Sequence, residues 1–482
     1  MRFRLDPTID SIPASDHLLA ISKRIAAKDA SIWGDSTEAK IRMGWVDLAE
    51  KSRALLPQLD SLEALARESK INEIVLSGMG GSSLAPEVIA KTYQSARVRS
   101  LVILDSTEPH FVKRELDKDL SRTLFLISSK SGTTIETNSH LSLILELLST
   151  QGRDPRNHIV VITDPKSPLA ATALSGAWRL LHGDPEVGGR FSALSAFGLA
   201  PAALIGIDPA TLLDDAAEMI EEIHLPAVKI ATYLSQHRYL YFSDSKESLP
   251  GLSDWIEQLI AESTGKNGKG LLPIAVDSTP TLERIATVDL STVIDAPLGA
   301  HFILWEWVTA LLGEIFAVDP FDQPDVQATK SRTLEVLGKA SSSASEFTSM
   351  EDLKGEIATH LQGREYLAIC AFLDPIRDRS AASLRHLLEQ TFQLPVAFGW
   401  GPRFLHSTGQ FHKGGPKKGL FISLTIESDV RLHVPGKDYD FAQLIRAQAE
   451  GDRLALQESG NHVVRVHLTS ADEVEKLLTC FS

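Results

Sequence analysis

Strand-like and helical segments alternate regularly from about residue 72 onward, which leaves few folds open to the chain. Short runs rich in Val, Ile and Leu are followed by longer stretches whose apolar residues recur at helical spacing. The short runs are residues 73–77, 101–104, 123–127, 158–162 and 178–181, and the helical stretches between them are residues 83–93, 109–116, 134–148 and 168–174. Near-continuous apolar strands separated by helices are typical of a parallel sheet covered on both faces. The pattern therefore predicts a doubly wound α/β domain over residues 71–207.

The rest of the chain is expected to add a second α/β unit. Residues 208–340 are mostly helical but contain two strand-like runs, and the small polar residues at 340–349 indicate a linker or an exposed loop. Residues 341–482 hold three further strand-like runs. We expect this last segment to complete the second domain, because so few strands would make a thin sheet alone. Residues 1–70 are expected to form a helical N-terminal extension.

The net charge limits the partners that the protein can have. The chain has 482 residues, with 48 Lys and Arg against 63 Asp and Glu, so its formal net charge is −15. Such a chain is a poor match for nucleic acid or for an anionic membrane surface. The longest apolar run, residues 194–207, is shorter than the roughly 18 residues that a membrane span needs and predicts a buried core helix. A small anion is still compatible with the charge, because a local site can be basic on an acidic protein.

Cysteine content and the N-terminus both favour a cytoplasmic protein. The two cysteines, Cys370 and Cys480, are far apart in the chain and form no Cys-x-x-Cys pair, so neither a disulfide framework nor a zinc site is expected. The first residues contain no apolar segment of the kind found in secretory signals. Since no metal-ligand spacing such as His-Glu-x-x-His occurs either, we expect no metal and no cofactor.

The first chemical signal is the sequence Ser-Gly-Met-Gly-Gly-Ser-Ser at residues 77–83, between a predicted strand and a predicted helix. Its glycines allow a tight turn and a close approach to a ligand, and the helix that follows would offer free N–H groups to a phosphate. It matches neither the Walker A loop nor the full Gly-x-Gly-x-x-Gly spacing. Taken alone, it is a weak signal, and a tight turn without a ligand is the alternative.

The second signal is the sequence Ile-Ser-Ser-Lys-Ser-Gly-Thr-Thr-Ile-Glu-Thr at residues 127–137, again between a strand and a helix. Hydroxyl groups stand at positions 128, 129, 131, 133, 134 and 137. Helix capping accounts for one or two of them but not for six. So many short donors at a helix N-terminus predict a site that binds the oxygens of a phosphate group.

With both loops described, the sequence resembles the glucose-6-phosphate isomerase family, whose members contain two sugar-isomerase (SIS) domains. Five segments carry the resemblance in the order of the family: residues 78–82, 129–137, 188–192 (Gly-Gly-Arg-Phe-Ser), 262–269 (Glu-Ser-Thr-Gly-Lys-Asn-Gly-Lys) and 321–330 (Phe-Asp-Gln-Pro-Asp-Val-Gln-Ala-Thr-Lys). Residues 405–416 are similar to the isomerase half of bacterial transaldolase/glucose-6-phosphate isomerase fusions. The resemblance implies two SIS-type doubly wound parallel-sheet domains (αβα sandwiches) with helical N-terminal and C-terminal extensions.

The resemblance also implies a reaction, the reversible aldose–ketose isomerisation of glucose 6-phosphate and fructose 6-phosphate through an enediolate. Glu262 would be the base that moves the proton between C2 and C1, and Arg190 would stabilise the enediolate. Lys330 would contact the ring oxygen and Gln323, seven residues earlier and on the same helix face, would orient a hydroxyl. The remaining substrate-binding candidates are Gly80, Gly81, Ser82, Ser129, Lys130, Ser131, Thr133 and Thr134.

Ring opening needs an acid/base, for which the family uses a histidine. Here the sequence departs from the better-known pattern, because the histidine that lies between Glu262 and Gln323 is His301, within an apparently amphipathic helix over residues 298–315. His406 and His412 lie instead in a polar, glycine-rich loop, so we assign the role to one of these two and prefer His406. The resemblance further implies a homodimer.

Two other functions fit the phosphate loop. A non-catalytic SIS-domain sensor of sugar phosphates would keep that loop without needing Glu262, Arg190 and Lys330 together. An isomerase of another sugar phosphate, such as mannose 6-phosphate, would keep them all, since its specificity depends on the shape of the pocket.

Overall fold

The computed structural model describes residues 3–244, 249–276, 282–338 and 347–481. An N-terminal extension precedes the first sheet, and Trp45 within it is fully buried between Phe191 and Trp307. The extension therefore packs against two later parts of the chain. Its elements are β1 (Arg4–Leu5), α1 (Pro7–Asp10), α2 (Asp16–Ala26), α3 (Thr37–Ile41), α4 (Leu48–Lys51) and α5 (Leu56–Glu68).

The first sheet is the predicted one. Its elements are β2 (Glu73–Ser77), α6 (Leu84–Thr92), β3 (Ser100–Leu104), α7 (Pro109–Leu116), β4 (Thr123–Ser128), α8 (Ile135–Thr150), α9 (Pro155–His158), β5 (Ile159–Thr163), α10 (Pro168–Ser175), β6 (Arg179–His182) and α11 (Ala196–Leu204). All five strands are parallel, in the order β3-β2-β4-β5-β6. The chain reverses direction across the sheet between β2 and β4, and ligands of open α/β sheets bind at the carboxyl ends of the strands at such a point. The two predicted loops follow these two strands.

Residues 209–337 form a largely helical unit around a small parallel sheet. Its elements are α12 (Pro209–Glu222), α13 (His224–Ser235), β7 (Tyr239–Ser243), α14 (Leu252–Thr264), β8 (Leu272–Val276), β9 (Thr287–Asp289), β10 (Ile294–Asp295), α15 (Leu298–Phe316) and α16 (Pro324–Leu337). The sheet order is β8-β7-β9, while β10 pairs with β1 of the extension.

The last described segment contains a four-stranded parallel sheet, in the order β12-β11-β13-β14. Its edge strand β12 lies beside β8, but the two sheets do not share a ladder. Strand β12 was missed by the sequence analysis, and the predicted linker falls largely on residues 339–346, outside the described residues. The elements are α17 (Leu353–His360), β11 (Tyr366–Phe372), α18 (Leu384–Phe392), β12 (Val396–Trp400), α19 (Gly409–Gly414), β13 (Gly419–Ile426), α20 (Phe441–Glu458), β14 (His462–Leu468) and α21 (Asp472–Thr479).

Two helices are buried on every side. Helix α11, which overlaps the longest apolar run, is buried at each of its positions, as predicted. Helix α15 is buried from Leu298 to Gly313 because α12, α13 and α14 surround it. The amphipathic helix predicted there is therefore wrong: a helix without a solvent face needs no polar stripe. Among the described residues, none of the helices combines the length and the hydropathy needed to cross a bilayer.

The α/β class with parallel sheets is thus confirmed, and the carboxyl ends of β2 and β4 fix where a ligand can bind.

Candidate active site

A cleft of about 280 Å³ opens at the carboxyl ends of β2 and β4. Most of the residues that the sequence singled out line it, although they come from six separate parts of the chain. They are Gly80, Gly81, Ser82, Ser129, Lys130, Ser131, Thr134, Arg190, Glu262, Gln323, Lys330 and His406. The structure therefore brings together twelve of the predicted site residues, and two others, Thr133 and His412, do not line the cleft.

The glycine-rich loop is packed directly against a second glycine pair. Residues Gly80–Ser82 form a single 3₁₀ turn, and Gly80 has a φ of +56°. A Cβ atom at Gly81 would lie 2.0 Å from the peptide oxygen of Gly189. Only glycine fits at position 81. The loop can therefore pack against the backbone of Gly189 and of Arg190, the residue after it, and so fixes Arg190 at the cleft.

The Ser/Thr loop ends at the N-terminus of α8, where Thr134 is the N-cap residue. The Thr134 hydroxyl makes no capping bond and instead lies 2.9 Å from Oγ of Ser129. Helix α8 is 16 residues long, and the N–H groups of its first turn have no intrahelical acceptor. The local geometry suits an anion. Thr133 is exposed and lies 3.0 Å from Oγ of Ser131, outside the cleft lining.

The ammonium group of Lys130 is held away from any ligand by protein acceptors. Its Nζ donates to both carboxylate oxygens of Asp164, at 2.8 and 2.7 Å, and to the peptide oxygen of Asp184 at 2.9 Å. The side chain is thus fully engaged, and what Lys130 offers to a ligand is its backbone.

Glu262 lies near the C-terminal end of α14, and the residue is 8% exposed. Its Oε1 atom lies 3.3 Å from Nη1 of Arg190, and its Oε2 atom accepts a 3.1 Å hydrogen bond from Nε2 of Gln258. Gln258 is one helical turn earlier, so the spacing of i and i+4 puts both side chains on the same helix face. The carboxylate is held at both oxygens.

All five N–H groups of Arg190 are engaged by the protein. Nε donates to Oγ of Ser263 at 2.7 Å, Nη1 to Glu262 and to Oε1 of Gln323 at 2.8 Å, and Nη2 to the peptide oxygens of Pro320 at 2.5 Å and Asp322 at 3.1 Å. The guanidinium group therefore fixes Glu262 and Gln323 relative to each other. Helix α16 begins at Pro324, so Gln323 is its N-cap residue, and both it and Lys330 line the cleft.

Lys266 also holds the turn before α16, which carries Gln323. Its buried Nζ donates to the peptide oxygen of Asp322 at 2.7 Å and to the carboxylate of that residue at 2.5 Å. Burial, together with the nearby charge of Arg190, lowers the pKa of Lys266 to about 8. The turn that carries Gln323 is thus fastened by two buried cations.

His406 is paired with a buried carboxylate. Its Nε2 atom lies 3.0 Å from Oε1 of Glu136, in the first turn of α8, and the same oxygen accepts a 2.7 Å bond from Nε2 of Gln448. Burial acts to raise the pKa of Glu136, but His406, a backbone hydrogen bond and the charge of Lys330 together lower that pKa. Since an ionised carboxylate only accepts, Nε2–H of His406 is the donor, and in the neutral ring Nδ1 is the unprotonated nitrogen.

The backbone of His406 is also fixed. Nε2 of Gln258 donates to its peptide oxygen at 2.7 Å, so one amide nitrogen contacts both His406 and the Glu262 carboxylate. Arg403, three residues before His406, forms an ion pair with Glu87 and another with Asp105, at 3.0 Å. These two pairs hold the turn that carries His406 on the first sheet unit.

The other two histidine candidates are packed in the interior. His412 is 4% exposed, and its Nδ1 atom lies 3.3 Å from the hydroxyl of Tyr366. Burial and the charge of Lys413 lower the pKa of His412 to about 3. Its inclusion as a catalytic candidate is not supported, because α19 turns this side chain toward β11 and away from the cleft. His301 is fully buried on α15, accepts a 3.3 Å bond from Nε1 of Trp305, and has a pKa lowered by burial to about 4.

Sequence reasoning missed four charged or amide side chains that line the cleft, Glu38, Arg42, Asp164 and Gln258, and it missed Glu136, which pairs with His406. Two of them had a local signal, since Glu136 lies within the Ser/Thr segment and Gln258 is four residues before Glu262. Arg42 and Glu38 come from the N-terminal extension and had none.

A group of potential metal ligands lies outside the cleft lining. Glu356, His360 and His462 each bring a ligand atom within 4.8 Å of the others. The two imidazole rings, however, are stacked 3.7 Å apart at 20°. A metal bound by two imidazoles lies about 2 Å from each nitrogen, close to both ring planes, and planes stacked in this way do not converge on one point. The arrangement is a poor ligand set.

The sequence is similar to known sugar-phosphate isomerases. The family model described as phosphoglucose isomerase matches residues 29–230. The chain is 36% identical over 251 residues to the glucose-6-phosphate isomerase of Thermus thermophilus, a match that covers 50% of this chain and 60% of the relative. It is 33% identical over 249 residues to that of Campylobacter jejuni, which covers 48% of this chain and 61% of the relative.

The match therefore spans about three fifths of the length of these relatives. A crystal structure of a glucose-6-phosphate isomerase from Chlamydia trachomatis superposes with a TM-score of 0.51 at 15% identity, covering 71% of this chain and 86% of that one, and shows a common fold. The sequence matches confirm the resemblance to this family, while the relation to transaldolase fusions stays a prediction.

Proposed function

We propose that the protein is a glucose-6-phosphate isomerase that interconverts glucose 6-phosphate and fructose 6-phosphate. The observation that carries the proposal is the link through Gln258, whose amide nitrogen bonds both to the Glu262 carboxylate and to the peptide oxygen of His406. A base for proton transfer and a histidine for ring opening thus share one cleft with a phosphate-type loop.

Phosphate binding comes first in this mechanism. The hydroxyls of Ser129, Ser131 and Thr134 and the free N–H groups at the start of α8 bind the phosphate oxygens, and the turn Gly80–Ser82 adds backbone donors. Fixing the phosphate places the sugar carbons at Glu262 and so reduces the entropy that the reaction must lose.

Ring opening uses His406 and Lys330. His406 exchanges a proton with the sugar through Nδ1, while Glu136 holds Nε2–H and stabilises the imidazolium that forms. Lys330 is a cation on the α16 wall of the cleft and contacts the ring oxygen as negative charge develops there.

Isomerisation then proceeds on the open chain. The Glu262 carboxylate takes the proton from C2 and returns it to C1, leaving the electron pair in an enediolate between the two transfers. Arg190 lies 3.3 Å from Glu262 and supplies a fixed positive charge beside the enediolate. Its bonds to Gln323 and Glu262 keep this charge in place before substrate arrives.

The same proposal extends to the setting of the enzyme. We propose that it acts in glycolysis and gluconeogenesis as a cytoplasmic homodimer, with residues 71–207 and 208–340 as the two SIS domains and residues 341–482 completing the second. Free cysteines at Cys370 and Cys480 suit a reducing compartment. No observation favours the sugar-phosphate sensor or the mannose 6-phosphate isomerase over this function.

The direct test is a coupled assay in which purified protein converts fructose 6-phosphate and the glucose 6-phosphate formed is oxidised by a dehydrogenase. We expect turnover of fructose 6-phosphate, and mannose 6-phosphate as substrate tests the alternative isomerase. Saturable binding of the sugar phosphate without any turnover would favour the sensor and overturn the proposal.

A further inference from the structure

The cleft contains four Lys or Arg side chains among the described residues: Arg42, Lys130, Arg190 and Lys330. Two of them have no hydrogen-bond donor to spare. Each N–H of Lys130 is directed to Asp164 or to the peptide oxygen of Asp184, and all five of Arg190 are engaged. A phosphate could bind either side chain only by breaking a bond that the protein already makes.

Arg42 is different. Its Nε donates to Oε2 of Glu38 at 2.9 Å, and its Nη1 donates to the peptide oxygen of Pro185 at 2.5 Å. Within the described ranges, no protein acceptor bonds the second hydrogen of Nη1 or either hydrogen of Nη2. Adjacent guanidinium donors fit two oxygens of a phosphate at once.

Arg42 is at the phosphate end of the cleft. It bonds the peptide oxygen of Pro185, and Lys130 bonds that of the preceding residue, Asp184, so the two cationic groups are neighbours. Lys330 lines the cleft from α16, and its charge acts on Glu136, the partner of His406. The remaining cationic donors are therefore divided between the phosphate loop and the ring-opening histidine.

We propose that Arg42, supplied by the N-terminal extension, binds the phosphate group of the substrate through Nη1 and Nη2. The inference deepens the proposed function, on which its link to a sugar phosphate rests. It gives the extension a role in substrate binding and makes the enzyme selective for phosphorylated sugars.

Glu38 provides a test with the opposite sign. Its carboxylate also lines the cleft and repels a phosphate, yet its oxygen orients Nε of Arg42. The substitution Glu38→Gln keeps an oxygen acceptor and removes the charge. It should tighten phosphate binding. A purely structural role for the Glu38–Arg42 pair instead predicts weaker or unchanged phosphate binding.

The experiment measures binding of inorganic phosphate by isothermal titration calorimetry, without any turnover, and the KM and kcat for fructose 6-phosphate. Arg42→Gln should weaken phosphate binding about tenfold, as expected for a charge-assisted hydrogen bond that is partly exposed. KM should rise by a similar factor while kcat stays within about twofold, because the contact is the same in the ground and transition states. Arg42→Lys should be intermediate, since it keeps the charge without the fork.

The matched control is Arg53→Gln, in the same extension. Nη2 of Arg53 lies 2.6 Å from Oδ1 of Asp214, and neither residue lines the cleft. It should bind phosphate like the wild type.

Equal phosphate affinity in Arg42→Gln and the control would overturn the inference, as would weaker binding in Glu38→Gln. If Arg42→Gln fails to fold by circular dichroism, Arg42→Lys and Glu38→Gln decide in its place. Phosphate binding that needs Arg42 in a protein without isomerase turnover would uphold the inference and reject the proposed function.

Discussion

The Nε2 atom of His406 lies 3.0 Å from Oε1 of Glu136, a residue 270 positions earlier in the chain. The bond joins the start of α8, at the edge of the first sheet, to a turn that follows β12. The position of His406, the proposed ring-opening residue, therefore depends on two distant segments. Glu136 accepts a second bond from Gln448, so its carboxylate is also fixed independently of the histidine.

Replacing Glu136 by Gln should lower kcat for fructose 6-phosphate about tenfold with little change in KM. The neutral amide cannot stabilise the imidazolium, while the phosphate contacts remain. Steady-state kinetics of the coupled reaction check this result. An unchanged kcat would mean that Glu136 only fills space.

Replacing Glu262 by Gln should reduce kcat at least about 10²-fold, the usual contribution of a general base. KM should change little, because the amide can keep the bonds to Arg190 and Gln258 in part. Glu257→Gln, on the same helix but outside the cleft lining, is the control and should stay near wild-type turnover. Wild-type turnover in Glu262→Gln would reject the mechanism.

The two histidine variants should separate clearly. His406→Ala should lose about 10²-fold or more in kcat on the cyclic sugar phosphate, because ring opening loses its acid/base. His412→Ala should keep most of its activity but lose about 1–3 kcal/mol of stability, since that side chain is buried against Tyr366. Thermal melting and assays at matched folded fraction distinguish these outcomes, and equal kinetic losses in both variants would contradict the assignment.

Lys266 should make stability depend on pH at the alkaline end. Its pKa falls from 10.5 to about 8 in the folded protein, chiefly through burial. Between pH 8 and 10.5 the unfolded chain therefore binds more protons than the folded one, so the residue's contribution to the free energy of unfolding rises with pH, by ~3 kcal/mol at most. Below pH 8 both states are protonated and the contribution is constant.

Urea unfolding at several pH values tests this dependence. The wild type should gain stability relative to Lys266→Met as pH rises from 8 to 10, and the variant with the exposed Lys269→Met should follow the wild type. Parallel curves for wild type and Lys266→Met would refute the prediction.

The pair formed by Lys413 and Asp452 should be costly to break. The two groups lie 2.6 Å apart with side chains only 3% and 2% exposed, and they tie α19 to α20. Asp452→Asn leaves a buried charge without a counter-ion and should cost about 3–5 kcal/mol. The exposed pair of Arg332 and Glu458 gives the comparison, because Glu458→Gln should cost less than about 1 kcal/mol. Chemical denaturation measures both, and equal costs would contradict the argument.

The strands of the first sheet could be predicted because their information is local. A run such as residues 123–127 is buried on both faces and is apolar throughout, whatever it later packs against. The loops that follow β2 and β4 were predicted for the same reason: glycines and hydroxyls at the end of a strand describe their own backbone and donors. Strand β12 was missed, since its residues Val396–Trp400 contain a glycine and follow no clear periodicity.

The amphipathic helix expected at residues 298–315 shows where local pattern fails. Whether a helix has a solvent face depends on how many neighbours surround it, and α15 is enclosed by α12, α13 and α14, the first of which begins almost 90 residues earlier. The sequence preferred His406 but kept His412 as a candidate, because the two are six residues apart and only packing turns one toward the cleft and the other toward Tyr366.

By itself, then, the sequence determined the α/β class, the positions of the phosphate-type loops and the identity of Glu262 and Arg190 as candidates. The tertiary structure alone decided which cationic side chains already donate all their hydrogen bonds to the protein and which keep donors for a ligand. Lys130 and Arg190 are consumed by protein acceptors, whereas Arg42 keeps donors at the cleft. The physical reason is that hydrogen bonds and ion pairs act over a few ångströms, and chain segments hundreds of residues apart reach that distance only once the fold has formed.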